Sequence, residues 1–110
     1  MKRLASSQWN SLNFEHIEKG NLLLAQLHIQ SGKFAQAREI LDTILSHNAG
    51  SWRALELKGL TFEHEKNAPE SLKIYQLAWD ASSQNNPAIG FRYFIMINFF
   101  HHLKLHVHKT

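Results

Sequence analysis

The chain predicts an all-α fold of stacked helix–turn–helix repeats, and three features of its 110 residues carry that expectation. The first is a recurrence at one constant distance: Ala25 returns as Gly59, His28 as Phe62, Ala37 as Ser71, Leu41 as Tyr75, Ile44 as Ala78 and Leu45 as Trp79. A period of about 34 residues belongs to arrays of helical hairpins. The second is apolar spacing of three and four residues, the period of a helix with one buried face. The third is turn chemistry wherever a stripe stops, at Ser31-Gly32, Asn48-Ala49-Gly50, Asn67-Ala68-Pro69 and Asn86-Pro87. A hairpin of this kind cannot bury its apolar face alone. It stacks on neighbours and leaves an extended surface for other proteins.

The first helix is expected over Phe14 to Gln30, with Asn13 as N-cap, Glu15 and Glu18 near the positive end of the dipole, and Ser31-Gly32 as the stop. Its inward stripe reads Ile17, Leu24, Leu27 and His28. A second helix follows over Phe34 to His47, with Phe34, Ala37, Leu41, Ile44 and Leu45 inward. Ser51 caps a third, Trp52 to Glu65, whose stripe is Trp52, Leu55, Gly59 and Phe62. Asn67-Ala68-Pro69-Glu70 opens the fourth, with proline in the first turn and Glu70 placed to reach back to Asn67 in a capping box. Leu72, Tyr75, Ala78 and Trp79 face inward there, and the helix frays at Ser82-Ser83-Gln84-Asn85. Asn86-Pro87, a cap followed by proline at the first helical position, starts a fifth.

Composition narrows the function classes. The net charge of +3 is unevenly spread: Glu15 to Asp80 holds all nine acidic residues against seven Lys or Arg, and the basic surplus lies at the two ends. A slightly acidic repeat body argues against nucleic-acid binding, which clusters basic residues on one face. There is no cysteine, which removes disulfides and thiolate metal sites and fits a reducing, cytoplasmic setting. Lys2-Arg3 is followed by no continuous apolar run, so no secretory leader is read. Tyr93 to Ile97, resuming at Phe99-Phe100, is too short for a bilayer span of about 20 residues, and no membrane insertion is expected.

Catalytic and cofactor chemistry finds no support. His64-Glu65 begins like a zinc-protease helix, but the position of the second histidine holds Ala68. No glycines fall at phosphate-loop spacing, and no serine sits in a nucleophile elbow. Glu63 and Glu65, two apart on a helix, point away from each other. His101, His102, His106 and His108 invite a metal-binding reading, since His102 and His106 would share a helix face. Leu103 to His108 alternates more than it coils, however, and no carboxylate accompanies the histidines; a solvated His-rich tail is the plainer expectation. The chain reads as a non-enzyme without cofactors.

A partner surface is expected on the first helix of each repeat, on the row beside the packing stripe. Lys19, Leu22, Gln26 and Ile29 form that row in the first repeat, and Arg53, Glu56, Leu60 and Glu63 form its equivalent one repeat on. Leu22, Ile29 and Leu60, exposed among charges, would suit a partner helix or an adjacent subunit.

Gly32-Lys33-Phe34 followed by Ala37, Leu41, Ile44 and Leu45 resembles the middle of a tetratricopeptide repeat (TPR). Ile17-Glu18-Lys19, Leu22-Leu23-Leu24-Ala25, Gln30-Ser31-Gly32-Lys33-Phe34, Tyr75-Gln76-Leu77-Ala78-Trp79 and Asn86-Pro87-Ala88-Ile89-Gly90-Phe91 together resemble the last repeats of the tetratricopeptide repeat protein 21 family, the long TPR subunit of intraflagellar transport complex A. The likeness spans Phe14 to Phe91. It implies TPR helical hairpins in a right-handed α-solenoid, complex A subunits as partners, a cytoplasmic and ciliary location, and a scaffolding role in retrograde ciliary transport and protein localisation to the cilium. Two departures stand out within it: Ala68 replaces an aromatic and Lys58 an apolar residue of the family pattern. After Phe91 the text departs from the family. Leu22 and Gln26 stand where the chaperone-tail clamp of other TPR proteins needs Lys and Asn, so that role is not implied.

The expected organisation is therefore an N-terminal segment (1–13), repeats at 14–48 and 49–85, the first helix of an incomplete third repeat (86–100) and a His-rich tail (101–110). The apolar run of the last helix, lacking a covering partner, is expected to favour self-association. A generic TPR adaptor unrelated to cilia, a truncated product without function and a metal-binding protein are the rival readings.

Overall fold

A computed structural model describes residues 14–83 and 85–109, with side chains not described at 100 and 102–109. Five helices run through these residues: α1 (Phe14–Gln30), α2 (Phe34–His47), α3 (Trp52–His64), α4 (Ala68–Ala81) and α5 (Pro87–Lys109). Each starts and stops within a residue of its expected limits except α5, and Asn13 lies outside the described residues. α1 packs on α2 and α3 on α4, while α2–α3 and α4–α5 form the next most extensive contacts. Helices joined by so few residues and packed along their length must reverse direction, as in helical hairpins. The body is elongated, 54 × 29 × 18 Å.

The turns repeat as faithfully as the helices. After α1, the Lys33 amide donates to the His28 carbonyl and the Gly32 amide to that of Ile29, with Gly32 at φ +76°. After α3, the Asn67 amide donates to Phe62 and the Lys66 amide to Glu63, with Lys66 at φ +61°. Both are Schellman caps, one ending on glycine and the other, at the equivalent place in the next repeat, on lysine. Ser51 Oγ accepts from the Ala54 amide, and Asn86 Oδ1 from the amides of Ala88 and Ile89. Asn67 Oδ1 accepts from the Glu70 amide, but the reciprocal half of the expected capping box is absent. The Asn67 amide is already taken by Phe62 in the Schellman cap, and Glu70 sits 3.7 Å from Lys73.

The core passes from hairpin to hairpin. Leu24, Ala25, Ile29, Ala37, Ile40, Leu41, Ile44, Ala54 and Leu57 join α1, α2 and α3. Leu55, Ile74, Ala78 and Ile89 carry it on to α5, and Ala68, Tyr75 and Met96 close it at the far end. Four expectations are corrected, three about faces and one about the length of a helix. Leu27 is exposed, because the buried face of α1 runs through Ile17, Asn21, Leu24, Ala25 and Ile29 instead. Trp52 is exposed at the outer start of α3. Ile29 is buried, and Leu22 and Leu60 pack against the first core cluster, so the three are not an exposed apolar row. The fourth concerns α5, which does not stop at residue 100 but continues to Lys109. No glycine or proline interrupts it after Gly90, and an alternating pattern has no strand to pair with there.

Small residues sit where helices approach most closely. A Cβ on Gly59 would lie 2.7 Å from the Tyr75 ring, and one on Gly90 the same distance from the Trp79 ring. Ser71 Oγ donates to the Gly59 carbonyl across the same crossing. Lys58, where the resemblance implies an apolar residue, lies 2.8 Å from Asp42 and forms an ion pair between α2 and α3. Asn21, the counterpart of Leu55 in the preceding repeat, is buried, and its Nδ2 has no hydrogen-bond partner among the described residues.

Candidate interaction surface

Because the first helices stand side by side at a constant register, rows spaced four residues apart on α1 and α3 face a common groove. It encloses about 420 Å³. Ile29, Leu57 and Leu60 form its apolar floor, and Gln26, Gln30, Arg53, Glu56, His64 and Arg92 its polar rim. Five of the eight residues expected on the partner surface, Gln26, Ile29, Arg53, Glu56 and Leu60, thus line one cavity. Lys19 and Glu63 are exposed and Leu22 half-buried, all three outside that lining.

The rim is charged in pairs. Arg53 bonds Glu56 one turn on, at 2.5 Å. Glu63 accepts a hydrogen bond of 2.7 Å from the Tyr75 hydroxyl, and Arg92 Nη1 lies 3.5 Å from both that hydroxyl and Glu63 Oε1. The Arg92 guanidinium also sits 5.7 Å from the centre of the Tyr75 ring. Burial, and then the Glu63 carboxylate, push the Tyr75 pKa well above the usual phenol value. Burial opposes the charge of Arg92, but Tyr75, Glu63 and Glu56 outweigh it and raise its pKa. The cluster therefore fixes one carboxylate and one guanidinium between α3, α4 and α5.

His64 and Glu65, which began like a zinc motif, have other work. The His64 ring stacks on Phe34, with centroids 5.4 Å apart and planes 11° from parallel. Glu65 takes two hydrogen bonds from Arg38, whose guanidinium also lies 4.5 Å from the Phe62 ring centre and donates to Thr61. Among the described residues no group of three or more His, Cys, Asp or Glu gathers as a metal site would require, and no helix is long and apolar enough to cross a membrane.

Four lining residues escape the sequence reading: Gln30, Leu57, His64 and Arg92. Gln30 and His64 extend the expected rows by one more step of four, from Gln26 and Leu60, so the row rule carried further would have found them. Leu57 stands four after Arg53. Arg92 reaches the groove from α5, and no local signal announces it.

A family model described as the C-terminal ARM domain of tetratricopeptide repeat protein 21 matches residues 1–106. Tetratricopeptide repeat protein 21B of Xenopus laevis is 40% identical over 92 residues, covering 84% of this chain. Tetratricopeptide repeat protein 21A of Mus musculus is 42% identical and protein 21B of Homo sapiens 37%, each over the same share of the chain. The chain spans about 7% of the length of these curated relatives. The departure expected after Phe91 is corrected: the family match runs on to residue 106, through most of α5.

Proposed function

This chain belongs to the tetratricopeptide repeat protein 21 family, and from that premise we propose that it is a non-enzymatic segment of a protein–protein interaction scaffold that uses the α1–α3 groove to hold a partner. The carrying observation is the groove itself: an apolar floor inside a hydrogen-bonding rim, built from the two register-equivalent rows. Surfaces of this make-up suit a peptide or helix, with apolar side chains on the floor and polar ones set by the rim. Residues 14–48 and 49–85 are read as two repeats, and α5 as the first helix of a third. In the full-length protein, the resemblance to the complex A subunit supports a role in retrograde ciliary transport and in protein localisation to the cilium, acting from the cytoplasm and the ciliary base.

The test is capture of complex A subunits by the family protein carrying this segment. Ile29, Leu22 and Leu60 serve the core and are unsuitable targets; Gln30→Glu with Arg53→Glu alters the rim alone. The double variant is expected to keep its helix content and lose capture. Equal capture by wild type and variant would remove the groove from the proposal. Failure of wild type to capture any complex A subunit would favour a generic adaptor.

A further inference from the structure

Three polar groups meet beside the groove at places where the preceding repeat is apolar. Tyr75 stands at the place of Leu41, and Glu63 at that of Ile29. Counted from the N-caps Asn86 and Ser51, Arg92 stands at the place of Leu57. Leu41, Ile29 and Leu57 are all buried and belong to one core cluster. A trio of core residues in one repeat has thus become a phenol, a carboxylate and a guanidinium in the next. Stability does not explain the exchange. A charged pair drawn partly out of water repays its desolvation only in close geometry, and Arg92 Nη1 is 3.5 Å from both the Tyr75 hydroxyl and Glu63 Oε1.

What the trio achieves is placement. Tyr75 is wholly buried, and its hydroxyl donates to Glu63 at 2.7 Å, which fixes the carboxylate from behind. The carboxylate and the phenol oxygen in turn hold a single nitrogen of Arg92. A guanidinium carries five N–H donors in a rigid fork. Among the described residues this one makes no further hydrogen bond; its side chain is 40% exposed and lines the groove, where α1 and α3 supply every other lining residue. We propose that Arg92 is a specificity-determining residue of the α1–α3 groove, donating its free N–H groups to an uncharged carbonyl oxygen of the partner, with Tyr75 and Glu63 as its positioning residues. A neutral acceptor fits because Glu63 already balances the guanidinium, and a second carboxylate beside it would be repelled. The binding site then draws on α5 as well as on α1 and α3. This inference rests on the groove reading above.

The experiment measures binding of purified complex A subunits to the full-length family protein, taking a subunit that Gln30→Glu with Arg53→Glu releases. Arg92→Leu is expected to weaken that binding by about tenfold or more, the scale of a hydrogen bond to a charged group. Arg92→Lys should lose nearly as much, because an ammonium held by Glu63 has no fork to spare. The ratio of wild type to Arg92→Leu should hold from about 0.05 to 0.5 M salt, as a neutral acceptor requires. Tyr75→Phe keeps the ring and should cost about threefold, yet add nothing in the Arg92→Leu background, since it acts through that residue alone. A purely structural role would cost the same in both backgrounds. A subunit released by the rim pair but bound equally by Arg92→Leu overturns this proposal and leaves the groove reading standing. If no subunit responds to the rim pair, both fall. Full binding by Arg92→Lys, a ratio that collapses with salt, or equal losses from Tyr75→Phe in the two backgrounds also overturns it.

Discussion

Tyr75 takes the position that Leu41 holds one repeat earlier, and the larger ring is accommodated because Gly59 stands where the first repeat has Ala25. All four are buried, so the two crossings reach similar closeness with the bulk moved from one helix to the other. Gly59→Ala is expected to destabilise the chain by about 1–3 kcal/mol, since the new methyl would press on the ring. In the Tyr75→Leu background the same change should be much milder, and urea denaturation of the four-member cycle measures that coupling. Additive effects would mean that the ring can swing clear. The hydroxyl of Tyr75 predicts a pH effect. Its folded pKa lies above the unfolded value of about 10, so its contribution is complete below that pH and declines as pH rises beyond it. Between pH 9 and 11 the wild type should lose more stability than Tyr75→Phe, read as the change in urea midpoint. Parallel pH profiles would contradict the link.

At the scale of elements, the two Schellman caps solve one problem with different residues. Gly32 adopts its left-handed conformation without a Cβ penalty, whereas Lys66 holds the equivalent place against a preference of about 1–2 kcal/mol. Lys66→Gly should therefore stabilise the protein by about 0.5–1 kcal/mol, the relief of strain exceeding the entropy added to the unfolded chain. A raised urea midpoint with an unchanged slope is the expected result; a lowered midpoint would show that the Lys66 side chain holds the turn. The caps themselves were legible from Ser51, Asn67 and Asn86 because an N-cap depends on one side chain and the amides within a turn of it. The half-formed box at Glu70 was not, because it depended on whether a neighbouring turn had already claimed the Asn67 amide.

For the whole molecule, stability passes along the stack, and α5 draws part of it from Met96 and Tyr93 against the end of α4. Removing residues from Tyr93 onward forfeits a buried methionine worth about 1.5–3 kcal/mol. At this size that lowers the melting temperature by roughly 10 °C. The same cut also takes away Phe94, Ile95 and Phe99, so light scattering at matched concentration should fall. A melting temperature that does not change would mean that α5 contributes no packing beyond Arg92.

The sequence by itself determined where the five helices start, their order, the hairpin register and the two rows that meet in the groove. Each of these follows from local periodicity, turn residues or a repeat distance, all written along the chain. Tertiary structure alone decided which residues of a row remain available. Ile29 and Leu27 sit two positions apart on α1, and the rotation of the helix against α2 and α3 buries one and exposes the other. Arg92 reaches the groove, and Phe94 is exposed, for the same reason: both depend on where α5 lies against α4, with Ile89, Gly90 and Met96 packed there, and no pattern within α5 announces that placement.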